Sequence, residues 1–254
     1  MSSENRFGYE WRKYDKIIPK YEAQFLGWVY PLNKESFFGK KILDAGCGMG
    51  RNSYWPLKWG ANKVIAFDFD QGSINAAREN LKEFSNKEVY FKSIYDIEWH
   101  NEFDIAYCIG VIHHLRKPEE ALMGLFNSVK QGGKLLIWVY SYEGNEWIVK
   151  YVNPIRKNVT SKLPVAVVHF LSYFCSVPLW IFVNIYRGGN KYLKQLSDFR
   201  FWHVHSIVFD QLIPDVANYW TKEEVEKLFN NIKYTKLDIR RSQNENGWIA
   251  IARK

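Results

Sequence analysis

The stretch from Lys41 to Gly50, KILDAGCGMG, constrains this chain more than any other. A short apolar run meets an acid, Asp44, and glycine then occupies alternate positions, Gly46, Gly48 and Gly50. Buried strands that feed a nucleotide-binding turn have this form. Glycine admits positive φ and lets a ligand come close to the main chain. A helix after the turn aims its unpaired N–H groups at whatever is bound there. The spacing is GxGxG, not the GxGxxG of a dinucleotide site.

Strand and helix patterns alternate from residue 40 to 140. Strands are predicted over Lys41 to Ala45, Val64 to Phe67, Val89 to Phe91, Phe103 to Ile109 and Leu135 to Tyr140. Helices are predicted over Asn52 to Trp59, Ser73 to Phe84 and Pro118 to Val129. Pro56 fits the first of these only in its opening turn, where a missing N–H costs least. Gln131-Gly132-Gly133 is expected to turn the chain into the fifth strand. This alternation implies a parallel sheet covered on both faces. Near the end, Thr221 caps a helix running to about Asn230, with Glu223 and Glu224 in its first turn. Thr235 to Arg240 and Trp248 to Ala252 then read as a hairpin.

Between these parts lies an insertion, residues 141–210. Its middle, Leu163 to Tyr186, contains no Asp, Glu, Lys or Arg. Length alone would let it span a bilayer. Topology argues against a single span, because the hairpin must return to the sheet that precedes it. Pro164 and Pro178 are also expected to break the run. Two readings stay open: a buried helical pair over the acceptor site, or an apolar surface that touches membrane or a lipidic substrate.

The chain has 254 residues, a length that suits one domain, 1–254. Aromatic residues make up 17%, as expected of a ring-lined cavity or of a core rich in rings. The net charge of +8 attracts nucleic acid, anionic lipid or an anionic substrate. No long basic block accompanies it, so nucleic acid is not the expected partner. Cys47, Cys108 and Cys175 are far apart and show no zinc-ligand spacing, so no metal is expected. Their pattern fits a reducing cytoplasm, and MSSENRFGYEW at the start carries no apolar signal region. The expected location is cytoplasmic, with contact at the inner membrane face if the insertion meets lipid.

Asp68 closes the second predicted strand, eighteen residues after Gly50. An acid about 20 residues beyond the glycines accepts ribose hydroxyls in nucleotide folds. A carboxylate suits the task because it offers two acceptor oxygens to two adjacent donors. The fourth strand leads into Ile109-Gly110-Val111-Ile112-His113-His114-Leu115, with Pro118 soon after. With the glycine turn, Asp68 and the terminal hairpin, this resembles the class I S-adenosylmethionine-dependent methyltransferases, of the bacterial small-molecule type whose corresponding segment reads LHHLxxP. The resemblance covers roughly residues 40–140 and 220–254.

The resemblance implies an α/β fold: a Rossmann-like, seven-stranded, mostly parallel sheet with a C-terminal antiparallel hairpin and a helical insertion between strands five and six. It also implies S-adenosylmethionine as cofactor. Gly46, Cys47, Gly48 and Gly50 would lie against its methionine and ribose, with Asp44 receiving the amine or bracing the loop. Asp68 and Phe69 belong to the ribose side, Tyr95, Asp96 and Ile97 to the adenine, and Ile109 to the wall near the donor. Residues 1–39 would form a helical lid, with Tyr9, Trp11 and Tyr14 over the sulfonium.

Methyl transfer to a hydroxyl benefits from a base, and His is the expected type. His113 and His114 are the first candidates. His203 and His205, expected on one face of a strand, are the second pair, with His205 as a substrate contact. Tyr140 is expected in the acceptor pocket. The expected acceptor is a small molecule, a saccharide or a lipid-linked intermediate, methylated on oxygen. RNA is the alternative acceptor. A nicotinamide-dependent oxidoreductase is disfavoured by the GxGxG spacing and by the lack of a Tyr-x-x-x-Lys pair. A non-catalytic subunit is disfavoured by the intact turn and Asp68. The sequence does not specify the oligomeric state.

Overall fold

The computed structural model describes residues 16–254. Helix α1 (Lys20–Val29) leads to β1 (Lys41–Ala45), α2 (Arg51–Lys58), β2 (Lys63–Asp68), α3 (Gln71–Asn80) and β3 (Lys87–Phe91). Then come β4 (Phe103–Ile109), α4 (Pro118–Ser128) and β5 (Val129–Tyr140). A helical excursion follows, with α5 (Asn153–Asn158), α6 (Val165–Ile185), α7 (Lys191–Ser197) and α8 (Phe201–Leu212). The chain ends in α9 (Lys222–Lys227), β6 (Lys236–Arg241) and β7 (Gly247–Arg253).

The seven strands form one sheet in the order β3-β2-β1-β4-β5-β7-β6. β1 to β5 pair in parallel, and β7 runs antiparallel to both β5 and β6. This is the mostly parallel sheet with an antiparallel end that the sequence predicts. The strand order reverses between β1 and β4, and open α/β sheets bind ligands beyond the carboxyl ends of the strands at such a point.

Alternate residues of each strand supply the two cores. Leu43, Ala45, Ala106 and Cys108 pack under α4 and α9, whereas Ile42, Ile105, Tyr107 and Ile249 pack under α1 and α2. Phe103 breaks the alternation by joining the first core, because the β4–β5 register shifts beside it. Phe103 pairs with Val129 but Ile105 pairs with Lys134. The extra residues are Gln131-Gly132-Gly133, which therefore form an irregularity inside β5 and not the expected turn ahead of it. The Gly132 N–H donates to the Lys254 carbonyl at 2.9 Å, which keeps the irregular stretch tied to the chain end.

Two prolines also depart from expectation. Pro56 lies well inside α2, beyond its first turn. The helix tolerates it because the carbonyl it orphans, that of Asn52, accepts the Tyr107 hydroxyl at 2.9 Å instead. Pro178 lies inside α6 without ending it, so the expected break occurs only at Pro164, just before the helix. α6 is held against α8 on both sides of Pro178, through Ser172 and Ser176 on His205 before it and the Trp180 ring, 6.0 Å from that of Phe201, after it.

The helical excursion runs past Asp210 and is pinched at its base. Ser141 bridges Trp220, the Tyr142 N–H donates to the Trp220 carbonyl at 2.9 Å, and the Trp220 N–H donates to Tyr140 at 3.2 Å. Thr221 then caps α9 through a capping box with Glu224, as the sequence predicts, although the helix stops at Lys227.

Tyr107→Phe should lower the unfolding free energy by about 1–3 kcal/mol, because it leaves the buried Asn52 carbonyl without a donor. Urea denaturation measures this. The loss should shrink in a Pro56→Ala background, where a backbone N–H again reaches that carbonyl. Equal losses in both backgrounds would show that the hydroxyl does not compensate for the proline.

Candidate functional site

The glycine turn is folded back onto β2. The N–H groups of Gly46 and Cys47 both donate to the Phe67 carbonyl at 2.9 Å. Gly46 has φ +74°, and a Cβ there would stand 2.5 Å from Val111 Cγ2. Gly50, at φ +83°, lets α2 start against Ala77 and Leu81 of the α3 segment, 3.2 Å from where its Cβ would be. The Gly48 N–H donates to Asp68 Oδ2 at 2.9 Å, and the Asp70 N–H donates to Asp68 Oδ1 at 3.0 Å. One carboxylate thus joins the turn after β1 to the corner after β2. Burial pushes its pKa up to about 6 against the opposing pull of those two N–H groups. Each oxygen keeps a further lone pair for a ligand.

A cavity of about 680 Å³ opens beyond these strand ends. Gly46, Cys47, Gly48, Asp68, Phe69, Tyr95 and Ile109 all line it. Other expected cofactor residues do not. Asp44 is buried behind the turn, where Ser53 Oγ of α2 donates to its Oδ2 at 2.6 Å. Burial, and secondarily the charge of Asp68, raise the Asp44 pKa to about 7. Gly50 serves packing. Asp96 is exposed outside the wall, and Ile97 packs near Gly124. The cavity instead takes Lys92, Ser93 and Ile94 from the residues just upstream. Tyr9, Trp11 and Tyr14 lie outside the described residues.

The roof comes from three helices. α1 contributes Tyr21, Gln24 and Trp28, α7 contributes Tyr192, and α8 contributes His203, Asp210 and Gln211. Sequence reasoning missed most of these, because residues far apart in the chain converge only after the excursion folds back. Arg51, the first residue of α2, also lines the cavity and lies over the Tyr21 and Trp28 rings at 5.2 and 5.1 Å. Tyr140, at the end of β5, stacks on Tyr219 with centroids 5.1 Å apart, and Gln211 bonds both hydroxyls at 3.0 and 2.6 Å. Tyr140 lines the cavity beside Gln211.

The four histidines separate. His114 lines the cavity, and its Nδ1 is 2.8 Å from the Val216 carbonyl. A carbonyl only accepts, so Nδ1 carries the proton and Nε2 is the basic nitrogen. Burial lowers its pKa to about 4, leaving a neutral imidazole at neutral pH. His113 is fully buried behind the wall, with its ring 3.9 Å from that of Tyr140 and neither nitrogen hydrogen-bonded. His203 and His205 lie on a helix, not a strand, so they point to different sides. His203 faces the cavity, 3.2 Å from the Tyr21 hydroxyl. His205 faces away, bonded to Ser176 Oγ at 2.7 Å and close to His169 Nε2 at 3.3 Å. The expected substrate contact by His205 is therefore a link between α8 and α6. No group that could hold a metal ion occurs among the described residues.

Residues 42–133 match a family model described as "Methyltransferase domain". A tRNA U34 carboxymethyltransferase of Helicobacter acinonychis is 29% identical over 128 residues, 48% of this chain and 48% of that protein. The chain spans about half or less of the length of the curated relatives it matches. An O-methyltransferase family protein from Burkholderia thailandensis superposes with TM-score 0.61 at 14% identity, over 100% of this chain and 63% of that one. A 1,6-didemethyltoxoflavin-N1-methyltransferase of the same organism, solved with S-adenosylhomocysteine, superposes with TM-score 0.57 at 14% identity, covering 92% and 79%.

Asp44 holds its proton more tightly folded than unfolded between its ordinary pKa of 3.8 and the raised value of about 7. Folding therefore takes up a proton there, and the Asp44 contribution to stability falls as pH rises across that interval. Asp44→Asn keeps an acceptor for Ser53 and removes the slope. In urea melts the stability of the wild type relative to this variant should decline from about pH 4 to about pH 7. A constant difference would return Asp44 to an ordinary carboxylate.

Proposed function

We propose that this chain, residues 42–133 of which match a methyltransferase domain model, is an S-adenosylmethionine-dependent methyltransferase that methylates an oxygen of a small acceptor with an apolar part. The single observation that carries this reading is one continuous cavity that joins the glycine turn to a roofed inner end. A roofed pocket of this size suits a small molecule. The inner end presents Tyr140, Tyr192, Gln211 and His114.

The residues fit the cofactor. Gly46 lets Val111 pack closely against the turn, and the spare lone pairs of Asp68 suit ribose hydroxyls. Phe69, Ile94 and Tyr95 offer flat and apolar surface for a base, and Arg51 at the start of α2 offers charge for a carboxylate. When bound, the cofactor supplies an activated methyl group on sulfur. The protein then has to orient the acceptor, exclude water and take a proton. We assign acceptance of that proton to Nε2 of neutral His114, beside Tyr140, whose ring lies 5.9 Å from the His114 ring and is fixed by Gln211 and Tyr219. The acceptor loses a proton and gains a methyl, and the histidine becomes charged until bulk water discharges it.

A second reading, an RNA acceptor, is favoured by the curated tRNA-modifying relatives and by the charge of +8. The roof over the cavity speaks for the smaller substrate. Incubation with methyl-labelled cofactor and separate tRNA and small-molecule fractions decides the matter. Label is expected in a low-mass product, and label in tRNA would overturn the first reading.

Asp68→Ala should weaken S-adenosylhomocysteine binding by about 100-fold, from the loss of charge-assisted hydrogen bonds. Calorimetry showing unchanged affinity would remove the ribose assignment. His114→Gln should lower kcat by about 10²-fold or more with S-adenosylhomocysteine affinity intact. The acid limb of the wild-type kcat/KM profile should fall near pH 4, where the buried ring charges, and not near 6.5.

A further inference from the structure

α6 is built inside out for a helix in water. Its protein-facing stripe holds His169, Ser172 and Ser176, all buried and gathered around His205 of α8. Its outward stripe is apolar, with Phe170 63% and Phe174 69% exposed and Leu171, Ile181, Phe182 and Ile185 exposed beside them. The helix is long and apolar enough to cross a membrane by length and composition. It is not free to do so as an isolated span, since α8 lies along one side of it and lines the cavity with its own other face.

The charge around the exposed stripe bears on what covers it. From residue 147 to 197 the sequence has no Asp or Glu. Lys150, Lys157 and Lys162 are exposed before α6, and Arg187 and Lys194 after it. Exposed Trp147 and Tyr151 precede the same helix. Apolar residues bounded by cations, with aromatic rings nearby, suit the headgroup region of an anionic bilayer. A second copy docked on this face by a twofold axis would bring the same basic flanks together, which disfavours it. We propose that α6 and its basic flanks form a peripheral docking surface for an anionic phospholipid bilayer, with α6 lying in the interface plane. Its depth of insertion is limited by α8, which keeps the cavity on the protein side of the surface.

The test is flotation of the full chain with phosphatidylcholine vesicles, with and without phosphatidylglycerol. Binding to the anionic vesicles alone, weakened by added salt, is the expected result. Phe170→Ser/Phe174→Ser/Ile181→Ser should reduce it about tenfold or more while S-adenosylhomocysteine affinity stays unchanged. Should that variant fail to fold, Lys157→Glu/Lys162→Glu, at two exposed positions, decides, again with a loss of about tenfold. No vesicle binding by the wild type, or equal binding by the folded variants, overturns the proposal. So does sedimentation of the wild type without vesicles as a dimer that the serine variant converts to monomer, which would make the face a contact between copies.

Discussion

The carboxylate of Asp68 receives one N–H from the glycine turn and another from the corner that begins α3. The first of these ties the turn after β1 to the end of β2, and with the β1–β2 ladder it shapes the floor of the cavity. The turn is held further by the Gly50 N–H on the Cys47 carbonyl and by Asn80 Nδ2 on the Met49 carbonyl, both at 2.9 Å. Its first two N–H groups share one carbonyl, that of Phe67. Neighbouring buried groups carry the cost. Asp44 and Asp68 are both raised chiefly by burial, and a neighbouring charge adds to each, that of Asp68 for Asp44 and that of Asp70 for Asp68. The floor is therefore a concentrated patch of polar groups set under an apolar sheet, stabilised by hydrogen bonds whose geometry a ligand inherits.

Catalytic capacity in such a site comes from placement. His114 is held by Val216, a residue of the excursion, so the ring that meets the cavity is oriented by the same segment that roofs it. His113 shows the opposite condition. One residue away, it is fully buried with its ring packed against that of Tyr140, and it does not line the cavity. Adjacent residues in a short 3₁₀ turn, Ile112–His114, point in different directions, so His114 lines the cavity and His113 does not.

The sheet was legible because strand burial and glycine position are local properties. The ends of β1, β2 and β4 and the role of Thr221 follow from spacing and capping alone. Three features were not legible, for a common reason. Pro56 is tolerated through a hydroxyl from β4, the Gln131-Gly132-Gly133 stretch is absorbed by a register shift against β4, and His205 finds its partners on a helix about thirty residues upstream. Each depends on a contact distant in sequence. The adenine-side residues show the limit in small form. The loop after β3 was located correctly, but the residues facing the cavity are Ser93, Ile94 and Tyr95, with Asp96 turned outward.

The pinch at Ser141 and Trp220 separates two problems that most enzymes must solve together. Below it the sheet closes on itself through β5 and β7, with register independent of what the intervening chain does. Above it, α5 to α8 form a helical layer that also touches the rest of the protein through His203 on Tyr21 and Gln195 on Asn244. The entropy of closing a loop rises only slowly with its length, so helices there can be lengthened, shortened or exchanged at little cost to the parts below. Such an arrangement behaves as a socket, in which the upper helices can be varied while the register of the strands below stays as it was.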